Sequence, residues 1–292
     1  MHKMKICPLT GNGLCLHKIF FPMKQKPKDL FVILFIYLLA LGAAVLVLRY
    51  APISNILWKT ALADGVATVI VFLFSVNYNN SSVYDPYWSA APVFIVFYWL
   101  LKSGHEGFLF KIIWILIVFW GVRLTWNWIL RWDGFQDEDW RYVKIRNKTG
   151  KWYWPVSFLT LHILPTVIVF AGLVPVYYTM TSVPEHPGSW LAVVAYLFTI
   201  GAILLEKTAD DQLRRHLKAT EGKNIRIQSG VWLILKYPNY LGEVMFWWGL
   251  YFFAVAVDRN LWWTFFGPAT ITFLFLFISI PMMKKRVANK TF

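Results

Sequence analysis

Two polar side chains stand at the start of a strongly apolar segment in the stretch "LKYPNYLGEVMFWWG", residues 235–249. Pro238 suits the first turn of a helix, because a proline there leaves no helical hydrogen bond unmade. Residues four apart share a helix face, so Asn239, Glu243 and Trp247 would point the same way. This face predicts a contact with a polar ligand. A carboxylate favoured by the helix dipole and a tryptophan of the interfacial belt are the structural alternatives.

A second polar stripe runs through "WGVRLTWNWILRW", where Arg123, Asn127 and Arg131 follow one another at four-residue steps. Ionisable groups inside apolar spans are costly, so a functional role is their default interpretation. Guanidinium groups bind phosphate through paired N–H donors, and the stripe therefore suits a phosphate-rich ligand. Snorkelling arginines with one buried hydrogen bond between helices are the alternative.

A charged helical segment, "EKTADDQLRRHLK", begins at residue 206. Glu206, Asp210 and Arg214 share one face of it by their four-residue spacing. Pairs at this spacing also stabilise ordinary solvated helices, so the spacing alone favours a structural role.

The stretch "YDPYWSAAP" contains the last candidate group. Asp85 precedes Pro86 at a natural helix start, and Tyr87 follows closely. A carboxylic acid at the edge of an apolar pocket has a raised pKa and could donate a proton. A helix cap is the structural alternative.

Composition indicates which elements position these groups. The chain of 292 residues is 58% hydrophobic, 19% aromatic and only 15% charged, with a mean hydropathy of +0.51. These values predict an all-α, polytopic transmembrane bundle of about seven or eight helices and argue against a soluble enzyme. The net charge of +14 suits loops that face the cytoplasm and anionic membrane lipids, rather than a nucleic-acid partner.

Apolar runs long enough to span a bilayer define the candidate helices. They cover about 30–48, 58–76, 90–101, 108–130, 154–178, 190–206, 240–257 and 261–283, the third being short. With eight spans, the basic tail (1–29), 131–151, 207–236 and the residues after 283 fall on one side. The positive-inside rule then predicts a multi-pass protein with both termini in the cytoplasm. A single membrane domain, 30–292, is expected.

Two motif classes are missing from the sequence. Cys7 and Cys15 are the only cysteines, and they predict neither a disulfide framework nor a metal site. No Gly-x-Gly-x-x-Gly stretch is present, so any nucleotide site must be built from helices and loops.

Together, "GVWLILKYPNYLGEVMFWWG" and the preceding "EKTADDQLRRHLK" resemble the C-terminal signature of the steroid 5-alpha-reductase family, in particular its mostly bacterial, uncharacterised membrane-protein branch. The resemblance is strongest over 201–250 and weak before residue 60. It implies a multi-helix membrane reductase that binds NADPH in a cavity open to the cytoplasm and uses it to reduce a carbon–carbon double bond of a lipid-soluble enone. The half at about 108–283 would bind the cofactor.

The resemblance also implies roles for individual residues. Cofactor contacts would come from Arg123, Arg131, Asp210, Arg214, Asn239, Glu243 and Trp247, and the four-residue stripe of Arg123 adds Asn127 to them. Asn239 and Glu243 would orient the nicotinamide amide, and the arginines would bind phosphates. Asp85, seven residues before Pro92, matches the family's acid with Asp in place of Glu. Asp85 and Tyr87 would supply the donor for the developing negative charge on the substrate oxygen.

The chain departs from the family pattern at several points. The family's catalytic Tyr, three positions before the span arginine, is here Trp120, which has no acidic proton to donate. Relatives continue beyond "MMKKRVANKTF" with a Tyr-containing segment that covers the cofactor. The altered acid at Asp85 and the missing tyrosine predict a substrate other than a steroid.

Two other functions fit parts of the pattern. A membrane methyltransferase acting on a lipid or isoprenyl substrate would use S-adenosylmethionine in a similar cytoplasmic pocket. Such enzymes carry Arg-His-Pro before the aromatic-Gly pair, whereas this chain has Lys236, Tyr237 and Pro238. A non-catalytic membrane scaffold would tolerate the loss of Asn239 and Glu243.

Overall fold

The computed structural model describes residues 26–105, 107–182, 190–220, 225 and 227–288. This part of the chain folds into helices and contains no β-strand. The predicted basic tail lies almost wholly outside the described residues. The α-helices in chain order are α1 (Lys26–Tyr50), α2 (Ile56–Asn77), α3 (Tyr87–Ser103), α4 (Phe108–Arg131), α5 (Trp140–Thr149), α6 (Tyr153–Ser157), α7 (Leu164–Thr181), α8 (Trp190–Ala219), α9 (Val231–Ile234), α10 (Pro238–Val257), α11 (Phe266–Phe273) and α12 (Ile280–Ala288).

All eight predicted spans are helical, which confirms the polytopic helical bundle. Seven helical stretches of the described chain are long and apolar enough to cross a membrane. The eighth is α3, whose 17 residues make it the short segment that the sequence predicts. Two spans are continuous through π-helical turns, at Phe158–Ile163 before α7 and at Leu274–Ser279 between α11 and α12.

The outer surface of the bundle is apolar. Large side chains such as Phe108, Phe119 and Leu197 are more than half exposed on their helices. A soluble protein rarely exposes so much contiguous apolar surface, whereas lipid solvates it at little cost. The exposed face is therefore the face toward the hydrocarbon.

The core is aromatic and centres on α10. Trp99, Trp120, Phe246 and Trp247 are fully buried there. Close approach of α10 to α8 depends on Gly242, because a Cβ at that position would lie 2.7 Å from the Cβ of Glu206. Only a glycine lets the two helix backbones come this near.

The polar segment 131–152 lies between two predicted spans and contains the helix α5. Asp139 caps it by accepting a hydrogen bond of 2.8 Å from the Arg141 N–H. Its ten residues are mostly polar, so hydropathy does not predict this helix. The segment also holds the buried turn 81–84 in place, since Glu138 accepts from the Ser81 N–H at 2.9 Å and from the Tyr153 hydroxyl at 3.0 Å.

Two contacts place the start of α1 beside the end of α4. Lys26 forms an ion pair with Asp133 at 3.7 Å, and Asp29 accepts a hydrogen bond from the Phe135 N–H at 3.1 Å. We call this end of the bundle, where α4 and α8 end and α10 begins, the basic end. It is the end that the charge distribution predicts to face the cytoplasm.

Candidate functional site

Three helices bring most of the predicted cofactor residues together near the basic end. The two terminal nitrogens of Arg123 on α4 contact two acids of α8: Nη1 lies 3.0 Å from Asp210 Oδ2, and Nη2 lies 2.6 Å from Glu206 Oε2. Asn127 donates to the same Asp210 oxygen at 2.9 Å. We call this group the polar cluster; its members are Arg123, Asn127, Glu206, Asp210, Asn239 and Glu243.

The start of α10 adds Asn239 to the cluster, where its amide nitrogen lies 3.5 Å from Asp210 Oδ1. The preceding Tyr237 has the left-handed backbone conformation, with φ 55° and ψ 55°. A non-glycine residue pays about 1–3 kcal/mol for such a conformation, and such strain concentrates at functional sites. The strained turn fixes where Pro238 starts the helix and therefore where Asn239 points.

Glu243 lies one turn deeper and is held by two indoles. Trp120 donates to its Oε2 at 3.0 Å, and Trp247 donates to its Oε1 at 2.8 Å. Glu243 and Trp247 share a helix face, as predicted, and there they form a buried hydrogen bond with each other. Trp247 is 1% exposed, so it is not part of an interfacial belt.

The cluster contains more acidic than basic groups. Arg123 is its one basic side chain, while Glu206, Asp210 and Glu243 carry carboxyl groups. The Nε of Arg123 is buried and has no hydrogen-bond acceptor among the described residues. A group with an oxygen acceptor and some positive charge would satisfy both features.

The remaining two predicted arginines differ in position. Arg131 is exposed at the end of α4, where its Nε donates to the Asn127 carbonyl at 3.2 Å. Arg214 forms an ion pair with Asp211 on its own helix, so it does not join the cluster with Asp210. Glu206 takes the place beside Arg123.

Tyr87, one of the two predicted proton donors, is paired with an acid that is not among the predicted site residues. Its hydroxyl donates to Asp64 Oδ1 at 2.7 Å, and the two residues are 6% and 7% exposed. Asp64 lies inside α2, in the apolar run "ALADGVATVIVF". A carboxylate within a span is itself a signal of function, and it was available in the sequence.

This pair stands at the wall of an apolar cavity of about 320 Å³ between α1, α2 and α3. Other lining residues include Val45, Phe94 and Leu101, each at least half exposed on the lipid-facing surface. The cavity is therefore accessible from the hydrocarbon and suits an apolar molecule with one polar group.

Asp85, the other predicted donor, has a different partner. The Tyr142 hydroxyl of α5 donates a short hydrogen bond to Asp85 Oδ1. Burial raises the pKa of Asp85 to about 6, although the nearby Arg141 guanidinium works in the opposite direction. Asp85 and Tyr87 therefore belong to two separate pairs. Asp85 is paired with Tyr142 at the basic end, and Tyr87 is paired with Asp64 at the cavity.

The helix α3 separates the cavity from the polar cluster. Tyr87 faces the cavity, while the next residue, Trp88, packs edge-on against Trp120 with ring centroids 5.9 Å apart. Trp120 in turn donates to Glu243. The first turn of α3 therefore contacts the cavity on one side and the cluster on the other.

The chain was compared with known proteins, and similarity was found to a curated relative and to a family model. A curated relative, "Uncharacterized protein C594.04c" of Schizosaccharomyces pombe, is 26% identical over an alignment of length 221 that covers 66% of this chain and 63% of that protein. The chain thus matches less than two thirds of that relative's length. No solved structure matches the chain.

A family model described as "Protein of unknown function (DUF1295)" matches residues 71–292. The match includes every residue of the polar cluster, together with Asp85 and Tyr87, and excludes α1 and the Asp64 turn of α2. Because it covers well over half of the sequence, the chain belongs to the DUF1295 family.

Proposed function

We propose that this protein is a membrane-bound, NADPH-dependent reductase of a carbon–carbon double bond conjugated to a carbonyl in a lipid-soluble substrate. The observation that carries the proposal is the convergence of Arg123, Asn127, Asp210, Asn239 and Glu243 from three helices. Asp210, Asn239 and Glu243 belong to the two segments that resemble the steroid 5-alpha-reductases, and Arg123 and Asn127 come from the polar stripe of α4. Their meeting in space supports a common ligand.

The chemistry of the cluster fits the nicotinamide end of the cofactor. The free Nε of Arg123 could bind the amide oxygen, and the carboxylates could accept from the amide nitrogen. The bound cofactor would supply the hydride. The three carboxyl groups of the cluster, beside a single guanidinium, would favour the positive charge that the nicotinamide ring gains when the hydride leaves. Arg131, exposed beside the cluster, is the cation assigned to the phosphates.

The second half of the reaction needs a proton donor beside an apolar substrate. In this proposal the Asp64–Tyr87 pair replaces the expected Asp85–Tyr87 pair. Its cavity is lined mostly by apolar side chains and opens toward the lipid, so it would hold an apolar substrate with one polar group beside the pair. A hydroxyl that is hydrogen-bonded to a buried acid can stabilise a developing oxyanion.

The proposed reaction requires the substrate to reach both sides of α3. Hydride must come from the side of Glu243 and the proton from the side of Asp64, so the reacting part of the substrate must lie at the first turn of α3. Trp88 and Trp120 stand at that junction. Their positions predict that they shape the substrate site.

One observation favours a second function. A cluster with an excess of carboxylates also suits the sulfonium and ammonium groups of S-adenosylmethionine, so a lipid methyltransferase is the alternative. That cofactor has no phosphate and leaves Arg131 without a role. The number of phosphates on the ligand therefore separates the two functions.

Ligand-dependent thermal stability of the detergent-purified chain tests the proposal, because a ligand that binds only the native state raises the unfolding temperature. NADPH, NADH and S-adenosylmethionine are titrated separately. We expect NADPH to stabilise the wild type and to stabilise Glu243→Gln and Arg131→Gln more weakly. Lys59→Gln is the control, because Lys59 lies in the first turn of α2 and outside the polar cluster. NADPH should stabilise this variant as much as the wild type.

Binding is then followed by turnover. NADPH oxidation is measured with enone lipids of different chain lengths in mixed micelles. Stabilisation by S-adenosylmethionine without a response to NADPH would favour the methyltransferase. A lack of response to all three ligands would favour a scaffold.

A further inference from the structure

We propose that the cleft between α5 and α12 is a binding site for the phosphate headgroup of an anionic phospholipid. The cleft has a volume of about 210 Å³, and none of its lining residues belongs to the polar cluster. This site does not depend on the proposed reductase activity. Its lining residues are Trp140, Arg141, Lys144, Ile145, Lys148, Met282 and Lys285.

The charge of the cleft is the first reason. Four of its lining residues are cations and none is an acid. Arg141 is paired with Asp139 at 2.8 Å, but Lys144, Lys148 and Lys285 form no ion pair with a carboxylate of the described residues. Unpaired cations that face one another across a cleft repel, and a bound phosphate removes that repulsion.

The helical spacing is the second reason. Trp140, Lys144 and Lys148 follow one another at four-residue steps, so one face of α5 supplies them all. The opposite wall is Met282 and Lys285, one turn apart on α12. Two separate helices therefore present ammonium groups to the same volume, which a merely solvated basic helix would not do.

The surroundings distinguish a lipid from a free anion. The helix that leads into α12 exposes Phe273, Leu276 and Phe277 to the hydrocarbon, each by more than half. The cleft also contains apolar side chains, Ile145 and Met282, among its cations. An acyl chain along the exposed helix would bring its phosphate to the level of Lys285. Lysines at this level bind anionic lipids and keep their stems on apolar surface.

Native mass spectrometry of the full chain in neutral detergent provides the test. The protein is titrated with phosphatidylglycerol and, separately, with phosphatidylcholine of the same acyl chains. We expect the wild type to bind one phosphatidylglycerol at least tenfold more tightly than phosphatidylcholine. The triple variant Lys144→Gln, Lys148→Gln, Lys285→Gln should lose that preference, since each basic residue contributes roughly a fivefold factor.

A matched variant removes the same charge elsewhere. Lys28, Lys218 and Lys236 are exposed lysines outside the cleft, near the basic end, and their joint replacement by Gln should leave the preference intact. Equal losses in the two triple variants would overturn the proposal, because net charge alone would then explain the binding. Circular dichroism checks that both variants fold, and the single variant Lys285→Gln replaces the triple one if it does not.

Competition separates the sources of phosphate. Inorganic phosphate and NADPH are added, each at 100-fold excess over the lipid, to the wild-type complex. The proposal expects the lipid to remain bound with both. Displacement by inorganic phosphate would show a simple anion site, and displacement by NADPH alone would show a cofactor-phosphate site; either result overturns the lipid assignment. NADPH binding itself can succeed or fail without changing this outcome.

Discussion

The indole of Trp120 donates a hydrogen bond of 3.0 Å to the carboxylate of Glu243. In the resembled family this position holds a catalytic tyrosine, yet here the side chain is fully buried and directed toward the polar cluster. It faces away from the cavity that contains Asp64 and Tyr87. Tryptophan in place of tyrosine therefore has a different role at this position, because the Trp120 indole holds the Glu243 carboxyl group in place.

Trp120→Phe should therefore destabilise the protein by about 1–3 kcal/mol, because a buried carboxylate loses one of its two indole donors. Thermal unfolding in detergent measures the change. Trp248→Phe is the matched control: its indole donates to the neutral Thr272 hydroxyl at 3.1 Å, so its loss should cost about 1 kcal/mol. Equal effects would contradict a special role for the Glu243 contact.

Arg123→Met should be more damaging than Arg131→Met. The first change leaves Glu206 and Asp210 buried without their cation, which costs about 3–5 kcal/mol. Arg131 is exposed, and its removal should change the free energy of unfolding by no more than about 0.5 kcal/mol. Chemical denaturation in mixed micelles compares the two, and a small effect at Arg123 would mean that the ion pairs do not form.

Gly242→Ala tests the contact between α8 and α10. The added methyl group would overlap the Glu206 side chain and the Ala202 carbonyl, which predicts a loss of about 1–3 kcal/mol. At Gly201 an added Cβ meets no atom within 4 Å, so Gly201→Ala should be neutral or slightly stabilising. Both are helical glycine-to-alanine changes, and the difference in unfolding temperature isolates the packing effect.

Asp85→Asn should alter the pH dependence of stability. Burial raises the pKa of Asp85 in the folded state to about 6 from an ordinary value of 3.8. The folded state therefore binds more protons than the unfolded state between these values, and stability falls as pH rises from about 4 to about 6. The loss is at most about 3 kcal/mol. Unfolding temperatures measured from pH 4 to pH 8 should show a flatter profile for the variant than for the wild type.

Asp64→Asn and Asp85→Asn also separate the two candidate acids. If Tyr87 and Asp64 donate the proton, Asp64→Asn should lower enone turnover by about 10²–10⁴-fold. NADPH affinity should not change, because Asp64 lies on the other side of α3 from the cluster. Asp85→Asn should leave turnover within about threefold of the wild type at pH 7. The opposite ranking would return the acid role to Asp85.

Hydropathy was sufficient to predict the bundle, because each membrane helix needs a long apolar run whatever its neighbours are. It failed at α5, since a short polar helix outside the apolar spans leaves no such run. The cap at Asp139 was the signal that remained.

Spacing predicted the faces of the site, but it could not predict which faces meet. Asp210 and Arg214 share a helix stripe in the sequence, yet only Asp210 reaches Arg123, because α4 passes α8 one turn earlier. Asp64 pairs with a tyrosine 23 positions later. Such a contact depends on how the buried turn before α3 folds, which local spacing does not determine.

The lipid-side opening of the cavity has a kinetic consequence. A molecule that reaches Asp64 and Tyr87 must first dissolve in the bilayer, so the quantity that governs its occupancy is its mole fraction in the membrane. Added inert phospholipid should then slow any reaction in this cavity at constant total substrate, as surface dilution does. A water-soluble ligand of the polar cluster, which lies at the other face of α3, would be unaffected by the same dilution.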